Sequence, residues 1–474
     1  MPRASFFLRF GAVVSLLALL GAGCGKAPDP TAAEASKPVA LEMWGVVDDT
    51  DVYQPVIDAY RKAHPNIQIT YRRLRLEEYE QKLLEGFADD RGPDLFLIHN
   101  DWTGKYLSKI QPMPKTVKIG SLTVSGSFGT NRSWTLVEEP TILLRDYRNQ
   151  YADVVSHDTI RRVATNIPEP GMAPIMEDKI VGMPISVDTL AMYYNKDLLN
   201  AAGVLEPATN WIDFQAQVQR IVKLDQDGQN FAQMAVALGT GNNISRAVDI
   251  LTILMVQNGA KMANDFGVPT FHVMPMELSS MREEPPAYSA LSFYTDFANP
   301  NKETYTWNAA QPESLDAFTQ GKTAFYFGYA YDLATIKARA PKLNLGIAKL
   351  PQVSESSEKN MANYWFWTVA KKSQSSDAAW HFLNYLTKPE NSKLVLDIMK
   401  RPAARKALLA PQLDDEQIGV FASQVLTSLS WYKGNDPNTV REAFTQLIAD
   451  TLNPRVELAV SMRNAVARIA QTIQ

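Results

Sequence analysis

Between residues 39 and 98 the apolar positions switch between a period of two and a helical period. Val39–Trp44 is an apolar-biased run that suits a strand. From Asp51 to His64 the residues Val52, Val56, Ile57 and Tyr60 share one helical face, and Pro65-Asn66 stops the helix. Ile67–Tyr71 alternates at period two, and a helix carrying Tyr79, Leu83, Leu84 and Phe87 follows. Gly92-Pro93 then breaks the chain before the apolar run Leu95–Ile98. Strand–helix–strand–helix–strand predicts an α/β fold with a mostly parallel sheet covered by helices. Ligands of such sheets sit beyond the carboxyl ends of the strands, so Trp44–Asp49 and His99–Trp102 are rim candidates.

Beyond Thr103 the pattern weakens. Ser/Thr/Gly-rich residues 120–126 and Pro-rich residues 167–170 make 103–180 an elaboration of the first unit. Regular structure returns with an apolar strand pair over Lys179–Asn195, interrupted by Pro184. Helices are predicted over Trp211–Leu224 and Ser245–Gly259. Strand-like runs cover 323–329, 344–350 and 364–370, followed by helices to Ile473, and no internal repeat is visible.

Composition adds the scale. A chain of 474 residues exceeds one ordinary core, which predicts two domains. With 46% hydrophobic and 21% charged residues it reads as soluble and globular, and a net charge of −4 excludes a dominant nucleic-acid-binding face. Five histidines and one cysteine leave little for a metal centre, so no metal or cofactor is expected. Catalytic motifs fail at defining positions. Gly321-Lys322-Thr323 lacks the earlier glycine of a phosphate loop, where Asp316 stands; Gly239-Thr240-Gly241 has Ile244 where a dinucleotide fingerprint needs glycine; Asp225–Gly228 has Val236 at the calcium-binding Glu position. No enzymatic signature remains, although two cleft carboxylates could serve a glycosidase.

The single cysteine is placed informatively. Arg3 and Arg9 precede an apolar run from Phe10 to Leu20, too short to span a bilayer, and Gly21-Ala22-Gly23 lead into Cys24. This segment resembles a bacterial lipobox, with Gly21 where Leu is usual. It implies a signal peptide over 1–23, lipidation of Cys24, and export to the outer face of the cytoplasmic membrane. Residues 24–38, rich in Ala, Pro and charge, read as a flexible tether.

Five stretches occur in an order that matches one family. They are Leu41–Trp44 with the helix ending His64–Ile67; Gly92–Leu95; Gly182–Ile185 leading into Met192–Leu199; Gly321–Phe325; and Asn363–Trp367. The chain resembles the extracellular solute-binding proteins of carbohydrate ABC importers, the group that includes maltose-binding protein. The resemblance implies a two-lobed periplasmic-binding-protein-like fold, each lobe a mostly parallel sheet flanked by helices, joined by crossing hinge strands. The expected lobes are 39–188 plus 366–430 and 189–365 plus 431–474, with crossings near 189–193, 364–367 and 431–436. It further implies a monomer that captures a sugar or oligosaccharide between its lobes and delivers it to the importer permease. A glycan-hydrolysing lipoprotein and a peptide- or polymer-binding lipoprotein are the alternatives.

By the same carry-over the ligand-binding candidates are Trp44, Asp48, Asp49, Asp101, Trp102, Asp188, Tyr329, Tyr331 and Trp431. Aromatic rings suit the apolar C–H faces of sugars, and carboxylates accept hydrogen bonds from paired hydroxyls. Trp365 and Trp367 alternate on one strand, so one of them is expected to face the cleft. Arg246, after Gly239–Asn243, either reaches an anionic group or pairs on the surface, and surface pairing is the expectation.

Overall fold

The computed structural model describes residues 30–126, 131–166, 171–226 and 230–473. Cys24 and the leader lie outside them, so the expectations for lipidation and export concern residues beyond the structure. Of the expected tether, Pro30–Ala35 forms a short helix. It is docked rather than loose: Ala35 is buried, and Asn66 donates to the Ala35 and Lys37 carbonyls.

The first sheet begins as its periodicity predicts, with β1 (Val39–Gly45), β2 (Ile67–Arg73) and β3 (Leu95–His99) mutually parallel around β1. The helices Thr50–Ala63 and Leu76–Ala88 connect them and bury their apolar faces. The 103–180 elaboration holds two antiparallel hairpins. β4 (Thr116–Ser125) pairs with β5 (Asn131–Pro140), and β6 (Ile160–Ala164) pairs with β7 (Met176–Ile180). Val117 and Ile119 root the longer hairpin in the core of the first lobe.

β8 (Asp188–Thr189) then leads into a second sheet. β9 (Ala191–Asn195), β10 (Lys223–Leu224), β11 (Phe231–Val236), β12 (Thr323–Gly328) and β13 (Leu345–Lys349) stand in the order 10-11-12-9-13. Here the parallel expectation is corrected. Only β11 and β12 run parallel: β9 enters from the hinge against both of its neighbours, and β10 pairs antiparallel with β11. The chain returns through β14 (Asn360–Asn363), which pairs with β8, and β15 (Trp365–Val369), which closes the first sheet antiparallel to β3. β16 (Ser428–Leu429) joins β14, so β8, β14 and β16 form a small sheet between the two large ones.

Each large sheet has its own apolar core. One contains Leu41, Phe96, Phe366 and Trp380; the other contains Met192, Phe214, Phe325 and Phe444. Phe421, in the helix Gly419–Gln424, packs with Tyr193 and Tyr326 of the second sheet. The last crossing runs tightly over the first lobe: a Cβ on Gly104 would lie 2.3 Å from the Gly434 carbonyl oxygen, so only glycine fits there.

Candidate functional site

A cavity of about 860 Å³ opens where the carboxyl ends of β1 and β3 face the start of the helix Ala247–Gln257 and the turn after β12. Its walls come from β3 and β15 of the first sheet, from β8 and β14, and from the helices Ala247–Gln257 and Pro437–Thr451 of the second lobe. The size is that of a small-molecule cleft.

Five of the nine sequence-predicted ligand residues line it. Asp48 is buried, accepts the Tyr53 hydroxyl at 3.0 Å and pairs with Arg401 at 2.9 Å. Asp101 holds the His99 ring, and Trp102 stacks on Tyr106 with Trp365 edge-on at 5.4 Å. Tyr331 enters from the second lobe, stacked on Tyr329 at 5.7 Å. Asp188 sits on β8, and its carboxylate accepts the amides of Thr189 at 2.9 Å, Ala330 at 3.0 Å and Tyr331 at 3.3 Å.

The other four stand elsewhere. Trp44 is 6% exposed, with its indole N–H on Glu42 at 3.0 Å and its ring against Gly86, so it belongs to the core under the helix Leu76–Ala88. Asp49 is exposed and pairs with Arg73. Tyr329 is buried, donating its hydroxyl to Asp249 at 3.0 Å behind Tyr331. Trp431 packs on Phe271 and Phe444 in the second core. Residues from the stretches around Asp48, Asp101, Asp188 and Tyr331 line the cavity, whereas none from the stretch around Trp431 does.

The expectation that one strand tryptophan faces the cleft is corrected, because both line the cavity: Trp365 is half-buried among His99 and Trp102, while Trp367 meets it from the core side, only 1% exposed against Tyr53 and Tyr71. Arg246 is corrected as well. It lines the cavity instead of the outer surface, with its guanidinium over the rings of Tyr329 and Tyr331. His99, in the rim stretch the sequence marked, also lines it, as do Arg401 and Asp249, which had no sequence signal because each meets the cleft through contacts with residues far along the chain.

Charge in the cleft is arranged by burial. Burial lowers the affinity of the His99 ring for a proton, but Asp101 and Asn363 outweigh it and the net shift is upward. Burial pushes Asp188 up to about 7, against three N–H donors and the Arg401 charge that favour its ionised form. A carboxyl whose folded pKa exceeds its unfolded value near ~3.9 holds a proton in the folded state that the unfolded chain has lost. Stability from this group is therefore full below about pH 4 and declines as pH rises to about 7. We expect the unfolding free energy from urea titration to fall across that window by up to roughly 1 kcal/mol per pH unit, and Asp188→Asn to flatten the slope. An unchanged slope in the variant would count against the assignment.

Among the described residues no group of three His, Cys, Asp or Glu is placed to hold a metal, and no helix is long and apolar enough to cross a membrane.

Solved structures share this two-lobed architecture. The cyclic α-maltosyl-1,6-maltose binding protein from Arthrobacter globiformis superposes with a TM-score of 0.66, covering 92% of this chain and 99% of that one, at 17% sequence identity. At that identity the likeness shows the fold alone. The chain belongs to the bacterial extracellular solute-binding protein family, whose model matches residues 46–393. A relative from Brucella abortus (strain 2308) that carries a binding-protein name is 24% identical over 217 residues, so the chain spans about half the length of the Brucella relatives it matches, at 47% of that protein. The galactooligosaccharide-binding protein of Bacillus subtilis (strain 168) is 20% identical over 441 residues, 92% of this chain and 88% of that protein.

Proposed function

We propose that this protein captures a saccharide between its lobes and presents it to an ABC importer, held at the membrane by a lipid on Cys24. The observation that carries the reading is the composition of the cleft wall: half-buried Trp365 and Trp102 beside the carboxylates Asp48, Asp101 and Asp249. Flat aromatic faces cover sugar C–H surfaces while carboxylates accept the hydroxyls around the ring edge. A ligand touching both lobes stabilises the closed form by its differential affinity for that form. The carbohydrate-binding names of the Bacillus relative and of the Arthrobacter structure support the same ligand class. Asp48, Asp101, Trp102, Asp188 and Tyr331 are the proposed ligand residues of the original nine, joined by Trp365.

Thermal unfolding against mono- and oligosaccharides, polyols, amino acids and peptides tests this. A ligand at a hundred times its dissociation constant adds about 2.7 kcal/mol of stability. A selective shift with a glycan that is not consumed is the expected result. A shift only with peptides or amino acids removes sugar from the function, and turnover of the glycan makes the protein a hydrolase. Trp365→Ala is expected to weaken glycan binding ~10–100-fold with little change in unliganded stability; calorimetric titration reads it, and wild-type affinity would remove Trp365 from the site. Cys24→Ser is expected to move the protein out of the membrane fraction, whereas unchanged fractionation would mean another anchor.

A further inference from the structure

Almost every buried or half-buried charged group in the cleft already has a partner. Asp48 holds Arg401, Glu80 holds Lys105, Asp101 holds His99, and Asp188 holds three backbone amides. Glu77 is exposed to solvent, and Arg441 reaches Asn438 at 3.0 Å. Arg246 is the exception. Among the described residues its guanidinium makes no hydrogen bond and no ion pair, and its Nε is buried without an acceptor. Its guanidinium lies 5.3 Å and 5.4 Å from the centroids of the stacked Tyr329 and Tyr331 rings, which hold it in place without using its N–H donors.

Two carboxylates influence this cation from a distance, and both are occupied. Asp249 accepts the Tyr329 hydroxyl at 3.0 Å; Asp332 accepts the Tyr326 hydroxyl and the Tyr329 amide, each at 3.1 Å. They offset part of the charge but take none of the donors. A desolvated guanidinium with unfilled donors costs free energy until an acceptor arrives.

The backbone beside it points the same way. Arg246 is the N-cap of the helix Ala247–Gln257, and the amides of Val248 and Asp249 in the first turn donate to no described group. Ser245 to Asp249 all line the cavity. A helix start of 11 residues offers free N–H groups and a positive dipole end, and the guanidinium adds a planar fork that matches carboxylate or phosphate geometry.

We propose that the ligand carries an anionic group, a carboxylate or a phosphate, which seats on Arg246 and the first amides of the helix Ala247–Gln257. On the saccharide reading, which this inference deepens, the ligand is an acidic sugar: its ring lies against Trp365 and Trp102, and its anionic group is held by the second lobe. Closure then brings the two halves of the recognition surface together on one molecule.

Calorimetric titrations with matched pairs test it: galactose with galacturonate, digalactose with digalacturonate, glucose with glucose 6-phosphate, and also acetate and inorganic phosphate alone. The acidic member should bind at least ~10-fold tighter than its neutral partner, the gain of a charge-assisted bidentate contact. Arg246→Gln should erase that preference and the binding of the free anions, and Arg246→Lys should restore only part, since an ammonium lacks the fork. Galacturonate against glucose 6-phosphate separates a carboxylate from a phosphate. Unliganded melting temperatures establish that both variants are folded. Neutral sugars binding as tightly as acidic ones, or a preference that survives in Arg246→Gln, would overturn the anion site and leave saccharide capture standing. Free anions that bind through Arg246 without any saccharide binding would sustain the site and sink the sugar. Binding of no probe at all overturns both.

Discussion

Lys433→Met should lower the stability of the folded chain by about 3–5 kcal/mol at neutral pH, read from the urea unfolding midpoint by tryptophan fluorescence. Lys433 lies on the last crossing between the lobes. Its ammonium is 2.5 Å from Asp158 of the helix Asp153–Thr159, a carboxylate whose side chain is 1% exposed. Ser430, Tyr364 at 2.7 Å, Asn100 at 3.4 Å and His157 Nδ1 at 3.3 Å also contact Asp158. Burial alone would raise the Asp158 pKa, but Lys433 and its hydrogen-bonding neighbours hold it far below the usual carboxylate range. Methionine keeps most of the apolar stem and removes the charge, so an uncompensated carboxylate stays buried. Because the folded pKa is depressed, the contribution is complete above an unfolded value near ~3.9 and is lost as pH falls below it. The gap between wild type and variant should therefore narrow below about pH 4. Pairing Lys433→Met with Asp158→Asn should recover much of the loss, because the two sites are in contact and couple. A single variant within ~1 kcal/mol of wild type would mean that the pair contributes little.

Trp44→Ala is the second large effect, and it should leave binding alone. The indole is enclosed by β1, β2 and the helix Leu76–Ala88, with Gly86 approaching closely and Arg72 over the ring at 5.3 Å. Truncating a buried tryptophan costs about 3–5 kcal/mol through lost burial and the cavity left behind. Because the side chain points away from the cleft, affinity measured under conditions where the variant is folded should match wild type. A loss of affinity at unchanged stability would return Trp44 to the ligand site. Trp365, only a few positions from the hinge, is expected to behave in the opposite way. The contrast between the two tryptophans separates core from cleft.

These two residues also show where sequence reasoning reaches. The first βαβαβ unit was legible because amphipathic periodicity and Pro/Gly breaks are local: the predicted helix 51–64 is observed as Thr50–Ala63, and the run 323–329 as Thr323–Gly328. The cleft was legible as a set of loops, since strand ends of such a sheet must converge. Which residue of each loop faces inward was not. Trp44 and Asp48 are four positions apart, and the local pattern does not distinguish a last buried strand residue from a rim residue. Arg246 read as a surface cation, although an apolar helix follows it, because the groups that cover its guanidinium are remote in sequence. Tyr329 and Tyr331, more than eighty residues later, provide its cover.

The sequence by itself determined the α/β class, the order of the elements and the family, all of which rest on local periodicity and on motifs in collinear order. Only the tertiary structure decided that the second sheet is mostly antiparallel, that residues 30–35 are a docked helix, and that Asp158 and Lys433 are joined across the crossing. It also decided which side chains share the cleft. The physical reason is one of range. Secondary structure follows from neighbours three or four positions away, whereas burial, pairing and pKa depend on groups brought together by the fold from distances along the chain that no local pattern records.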